Sequence, residues 1–144
     1  MPENMTNVTI AKFAITKIFD NAYKAKAQTI MVKEATRWIE KSKLLSTKGD
    51  KKEEGFYLDG GLTLLKGDSG GKSVLAAKVE LQLATWPKKS MFGFAKGGAS
   101  VEVLNDAKVD RDIEDLLSSL FEDLMTKQVV KEFEGRAKKQ AKSR

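Results

Sequence analysis

Neither cysteine nor histidine occurs in this chain of 144 residues. The first absence removes disulfides, thiolate ligands and a cysteine nucleophile. The second removes the commonest metal ligand and the commonest general base. Proline is scarce as well, at two residues. One of them, Pro87, falls where a strand must stop, because proline donates nothing to the ladder. No apolar run is long enough to span a membrane. The opening residues MPENMTNVTI lack the basic-then-apolar build of a secretory signal. The expected location is cytoplasmic on the sequence as it stands, or periplasmic for a chain whose signal has been removed.

What is present is an ordinary globular composition. Hydrophobic residues make up 41% and charged residues 32%, enough apolar material to build a core at this length. The net charge is +6, and Arg136, Lys138, Lys139, Lys142 and Arg144 carry most of it in a stretch without an acid. The body of the chain is therefore close to neutral. The expected organisation is a single α+β domain over residues 1–135 and a basic, flexible tail over 136–144.

The stretch VLAAKVELQLA, Val74 to Ala84, organises the rest. Leu75, Ala77, Val79, Leu81 and Leu83 alternate with mostly polar partners, the pattern of a strand with one buried and one wet face. Val8 to Phe19 reads as a first strand with apolar groups on both faces, which points to a central position or a second partner. Asp20 or Asn21 is a candidate cap for an amphipathic helix over residues 22–41, carrying Tyr23, Ala27, Ile30, Met31, Ala35, Trp38 and Ile39. Phe56 to Lys66 is a second strand, interrupted at Gly60–Gly61. The five-residue turn Gly67–Gly71 joins it to Val74–Ala84 as a hairpin. Met91 to Leu104 resumes strand character. From Asp110, its expected cap, a helix carries Ile113, Leu116, Leu117, Leu120, Phe121, Leu124 and Met125, continued by Val129 and Phe133, with Gly135 as its stop. The order is β–α–β–β–β–α. The expected fold class is α+β: a mainly antiparallel, curled sheet with two amphipathic helices packed on one face.

Several motifs are incomplete. Gly70-Gly71-Lys72-Ser73 ends like a phosphate-binding loop, but the first glycine of that pattern would fall on Lys66, and the segment joins two strands rather than a strand and a helix. Phe92-Gly93-Phe94 resembles the aromatic strand of an RNA-recognition motif, with both rings expected on one face, but its basic-glycine start is missing and Gly97 stands where the last aromatic belongs. Asp106 and Asp110 are candidate cation ligands by chemistry, yet lack calcium-loop spacing. Asp59 is an unusual mid-strand carboxylate without a recognisable partner. No catalytic, cofactor or metal residue is assigned, and no cofactor is expected.

The segments GFYLDGGLTLL, KVELQLAT, MFGFAKGGASVEV and DIEDLLSSLFEDLM follow a cadence that resembles bacterial cell-envelope domains of the TolB amino-terminal, CsgG and LpoB type. The resemblance lies in element order and glycine placement. It implies a non-catalytic domain that docks other proteins. On this reading the chain is a protein-interaction or adaptor module, not an enzyme, and Tyr57, Trp86, Phe92 and Phe94 are its candidate binding residues, because aromatics dominate interface energies. Self-association is a further expectation, since a meander leaves free strand edges. Two alternatives stand beside it. One is nucleic-acid binding through Arg136, Lys138, Lys139, Lys142 and Arg144. The other is small-molecule binding in a pocket between helices and sheet.

Overall fold

The structure is a computed structural model and describes residues 5–50 and 52–142. Strands β1 (Thr6–Ile10) and β2 (Ala14–Ile18) lead through a short 3-10 turn to helix α1 (Lys24–Glu40). A two-residue strand, β3 (Leu45–Ser46), precedes the long strands β4 (Gly55–Ser69), β5 (Lys72–Trp86) and β6 (Met91–Glu102). Helix α2 (Val109–Leu124), a π-helical turn (Met125–Val129) and helix α3 (Val130–Lys142) form one continuous rod. The fold is α+β. The sheet order is β3-β1-β4-β5-β6, with β2 also paired to β4. The β4–β5–β6 meander is antiparallel, and β1, β2 and β3 add parallel pairs at the other side. No helix among the described residues is long and apolar enough to cross a membrane.

The first strand differs from its expected form. It is two segments laid end to end along β4, and the breaks resolve its two-sided apolarity. Val8 and Ile10 pair with Phe56 and Leu58. One extra residue between Ile10 and Ala14 shifts the phase, so that Ile15 pairs with Leu62. A second shift between Ile15 and Lys17 brings Ile18 opposite Leu64. Partners in adjacent strands share a face. Phe56, Leu58, Leu62 and Leu64 are all buried, so each bulge returns the next isoleucine to the core side. Phe13, in the first break, is fully buried with its ring 5.9 Å from that of Phe121 on α2.

The meander follows the alternation closely. Leu75, Ala77, Val79, Leu81 and Leu83 are buried, while Ala76, Lys78, Glu80 and Gln82 face out. The hairpin is tighter than the expected five-residue loop, with pairing out to Ser69 and Lys72. Gly70 and Gly71 alone make the turn, at φ of 59° and 79°. Two successive residues in that left-handed region give a turn whose twist matches the strands.

The long rod explains how one helical stripe reaches so far. With 3.6 residues per turn, the phase set by Ile113, Leu117, Leu120 and Leu124 would next present Gln128, Lys131 and Gly135 to the sheet. The π turn accommodates an additional residue and resets the phase, so that Val129, Phe133 and Ala137 are buried instead. Thr126 lies in this turn and donates its hydroxyl to the Glu122 carbonyl at 2.7 Å. The rod runs through Gly135 rather than stopping there. Its start also differs from expectation. Asn105, not Asp110, supplies the cap, accepting from the Ala107 N–H at 2.9 Å at the head of a 3-10 turn. For α1, Asp20 accepts from the Ala22 N–H at 2.9 Å, as expected.

Candidate functional site

All helices pack against one face of the sheet, which leaves the other face bare. The even-numbered positions of β5 and β6 and the odd-numbered positions of β4 point to it. At the end nearest the β5–β6 turn this bare face is aromatic. Tyr57 and Trp86 stack with ring centroids 5.3 Å apart at 25°. The turn beyond Trp86 is held by Thr85, whose N–H donates to the Ser90 carbonyl and whose own carbonyl accepts from the Lys89 N–H, both at 2.9 Å. Lys89, at a φ of 58°, lies with its ammonium 4.9 Å from the Tyr57 ring centroid and 5.6 Å from that of Trp86. Such cation–π contacts fix the ammonium at the rim of the pair.

Two large apolar side chains flank the pair. Met91 pairs across β5 with Ala84, which pairs in turn with Tyr57, and it is 63% exposed. Phe94, opposite Gln82, is 52% exposed. Asp59 sits on the same face, opposite Gln82 on the other side, with one carboxylate oxygen 2.7 Å from the Gly60 N–H that donates to it. Burial first, and the Asp59 charge second, raise the Tyr57 phenol above its ordinary 10.0.

Phe92 does not belong to this face. A register shift opposite Leu83 and Ala84 leaves it as the extra residue between Met91 and Gly93. The bulge turns its ring to the helix side, against Phe56 at 5.5 Å and Phe133 at 5.9 Å. Phe92 and Phe94, expected on one face, are thus on opposite faces. Met91 is an exposed apolar residue of this site that sequence reading missed. The signal that could have found it is its place in a strand directly after a proline turn.

The basic positions lie along α3. Arg136 places its guanidinium 4.3 Å from the Phe92 ring centroid. Lys138 and Lys139 are exposed, and Lys142 is the last helical residue. Arg144 lies outside the described residues. Ala137, among these cations, is buried. The carboxylates considered as cation ligands are engaged by lysines, Asp106 with Lys66 at 3.0 Å and Asp110 with Lys26 at 3.5 Å. Between β6 and the helical rod lie two open grooves, of about 350 and 390 Å³. The first is lined by Phe94, Ala95, Lys127 and Lys131 among others, the second by Gly98, Ala99, Ser119 and Glu122 among others.

No family model matches the sequence, and no curated protein matches it. Solved structures share the fold. A Xanthomonas campestris protein of family DUF330 superposes with a TM-score of 0.62 at 11% identity, covering 99% of this chain and 91% of that one. The PelC dodecamer from Paraburkholderia phytofirmans gives 0.59 at 10% identity, over 86% of this chain and 89% of the other. A minor lipoprotein from Acinetobacter baumannii gives 0.52 at 12% identity, over 91% and 94%. At these identities the likeness is one of fold.

Proposed function

We propose that the protein is a non-catalytic interaction module of a bacterial envelope assembly, and that its bare sheet face receives another protein. The observation that carries this reading is the aromatic end of that face: Tyr57, Trp86 and Phe94 with Met91, uncovered by any helix among the described residues, rimmed by Lys89. A partner of matching chemistry presents an apolar side chain to the rings and a carboxylate to the lysine. Rigid aromatics surrounded by polar groups are the usual anchors of protein interfaces. The envelope setting is supported by the shared fold of a minor lipoprotein, and the assembly by that of PelC, which forms a dodecamer.

Site-specific photo-cross-linking in cells tests this. A cross-linker in place of Met91 is expected to capture a protein adduct, and Trp86→Ala is expected to weaken that capture by about thirtyfold, the loss typical of an aromatic anchor. A cross-linker at Lys33, on the exposed side of α1, is expected to give none. Equal adducts from positions 91 and 33, or capture at 91 indifferent to Trp86→Ala, would overturn the assignment.

A further inference from the structure

We infer that a second copy of this chain extends the sheet across the free edge of β6, antiparallel and two-fold symmetric about Ala99. The sheet has β6 at one edge and β3 with β2 at the other. β3 has only two residues, and β2 is short and shifted in register, the devices by which sheets blunt an edge. β6 has neither protection beyond Gly93. It pairs one-to-one with β5 from Gly93 to Glu102 without a shift. Among the described residues no strand pairs with its outer side. Two open grooves lie between β6 and the helical rod.

The side chains along the edge are complementary to themselves in one register. With Ala99 on the axis, Lys96 of each copy lies opposite Glu102 of the other, and Phe94 comes to the bend beyond Glu102 that carries Leu104. Gly98 meets Ser100, and on the helix side the small residue Gly97 meets Val101. Phe94, Lys96 and Glu102 all occupy the bare face. Among the described residues, Lys96 stands across from Glu80 on β5 without closing an ion pair, and Glu102 has only the exposed Lys72 at 3.9 Å. Leu104 is 85% exposed and Phe94 52%, so the pairing covers two of the large apolar side chains that the fold leaves in water. Opposed charges and opposed apolar pairs are what stabilise antiparallel strands. Shifting the register by two residues in either direction loses both matches at once. An isologous contact of this kind closes as a dimer.

Sedimentation equilibrium of the full chain tests the pairing through charge reversal. The parent is expected to dimerise. Lys96→Glu and Glu102→Lys each replace two attractive pairs by two repulsive ones and are expected to weaken the dimer about tenfold. An equimolar mixture of the two variants restores every opposed pair, and so does the double variant. Both are expected to regain parental affinity. Leu104→Ser is expected to weaken the dimer and leave thermal unfolding of the monomer unchanged. A parent monomeric up to about 1 mM, the weakest association worth assigning, would overturn the inference. So would single variants that assemble like the parent, or a mixture that fails to recover. Met91 lies in β6 itself, so an adduct there supports the docking reading only when the captured protein is not a second copy of this chain, and an adduct with a second copy overturns it. On that condition the two readings fail separately.

Discussion

Replacing Phe133 by alanine tests whether the basic end of the chain is held against the sheet. Phe133 is fully buried, stacked on Phe56 at 5.0 Å and 13°, and edge-on to Phe92 at 5.9 Å. Truncating a buried phenylalanine to alanine costs about 3–5 kcal/mol, because the site relaxes only in part. Two ring contacts, each worth about 0.5–1.5 kcal/mol beyond area burial, place this site toward the upper end, at about 4 kcal/mol. A domain has about 5–15 kcal/mol in total, so the variant is expected to fold with a narrow margin. With a urea dependence of about 2 kcal/mol per molar, its unfolding midpoint should fall by about 2 M. Lys138→Ala, on the exposed side of the same helix, should stay within about 0.5 kcal/mol of the parent. Hydrogen exchange supplies the local readout: amides of α3 should lose protection in the first variant and keep it in the second. A midpoint for Phe133→Ala within about 0.5 M of the parent would refute the reasoning. It would mean that the ring is not enclosed and that the π turn does not deliver this face of the rod to the core.

Two glycines of β4 should respond in opposite ways. A Cβ on Gly60 would stand 2.3 Å from the Glu80 carbonyl oxygen and 2.8 Å from Leu81 Cδ2, so Gly60→Ala should destabilise by about 1–3 kcal/mol in urea unfolding. Gly67 has open space around it and an ordinary φ, so Gly67→Ala should stabilise by about 0.4–1 kcal/mol through the unfolded chain. Equal responses would contradict the close approach of β5 at Gly60. Ultraviolet titration of tyrosinate, taken as the difference from Tyr57→Phe, should place Tyr57 above 10.0, and Asp59→Asn should lower it only in part, since burial is the larger cause. Because the folded value exceeds the unfolded one, the stability this group contributes is complete below the unfolded value of 10.0 and is lost as pH rises through the folded value. Tyr57 titrating at or below 10.0 would show that the stack with Trp86 does not shield it.

Much of the fold was legible because periodicity reports faces directly. The alternation from Leu75 to Leu83 and the stripe from Ile113 to Leu124 both became buried surfaces at those residues. The α+β class and the placement of helices on one face follow from these two patterns. Periodicity fails where an element changes phase. The strand expected from Val8 to Phe19 carries two phase shifts, and the simple reading of its apolar residues was two-sidedness. The same limit hid the orientation of Phe92, which a single bulged residue turned away from Phe94.

The candidate face shows the division most plainly. That Tyr57, Trp86 and Phe94 are aromatics in strands bounded by a proline turn is written in the chain itself. That Tyr57 and Trp86 stack, that Lys89 lies beside both rings, and that Met91 joins them depends on the pairing of β4 with β5 and of β5 with β6. Local residue order determines which side of a strand is apolar, because side chains alternate by covalent geometry. Which strands become neighbours, where their register slips and which edge stays open depend on contacts between residues distant in sequence, such as Glu102 with Val74 or Ile18 with Leu64. The helices cover one face of the sheet that those contacts build, and this leaves the aromatic end of the other face free.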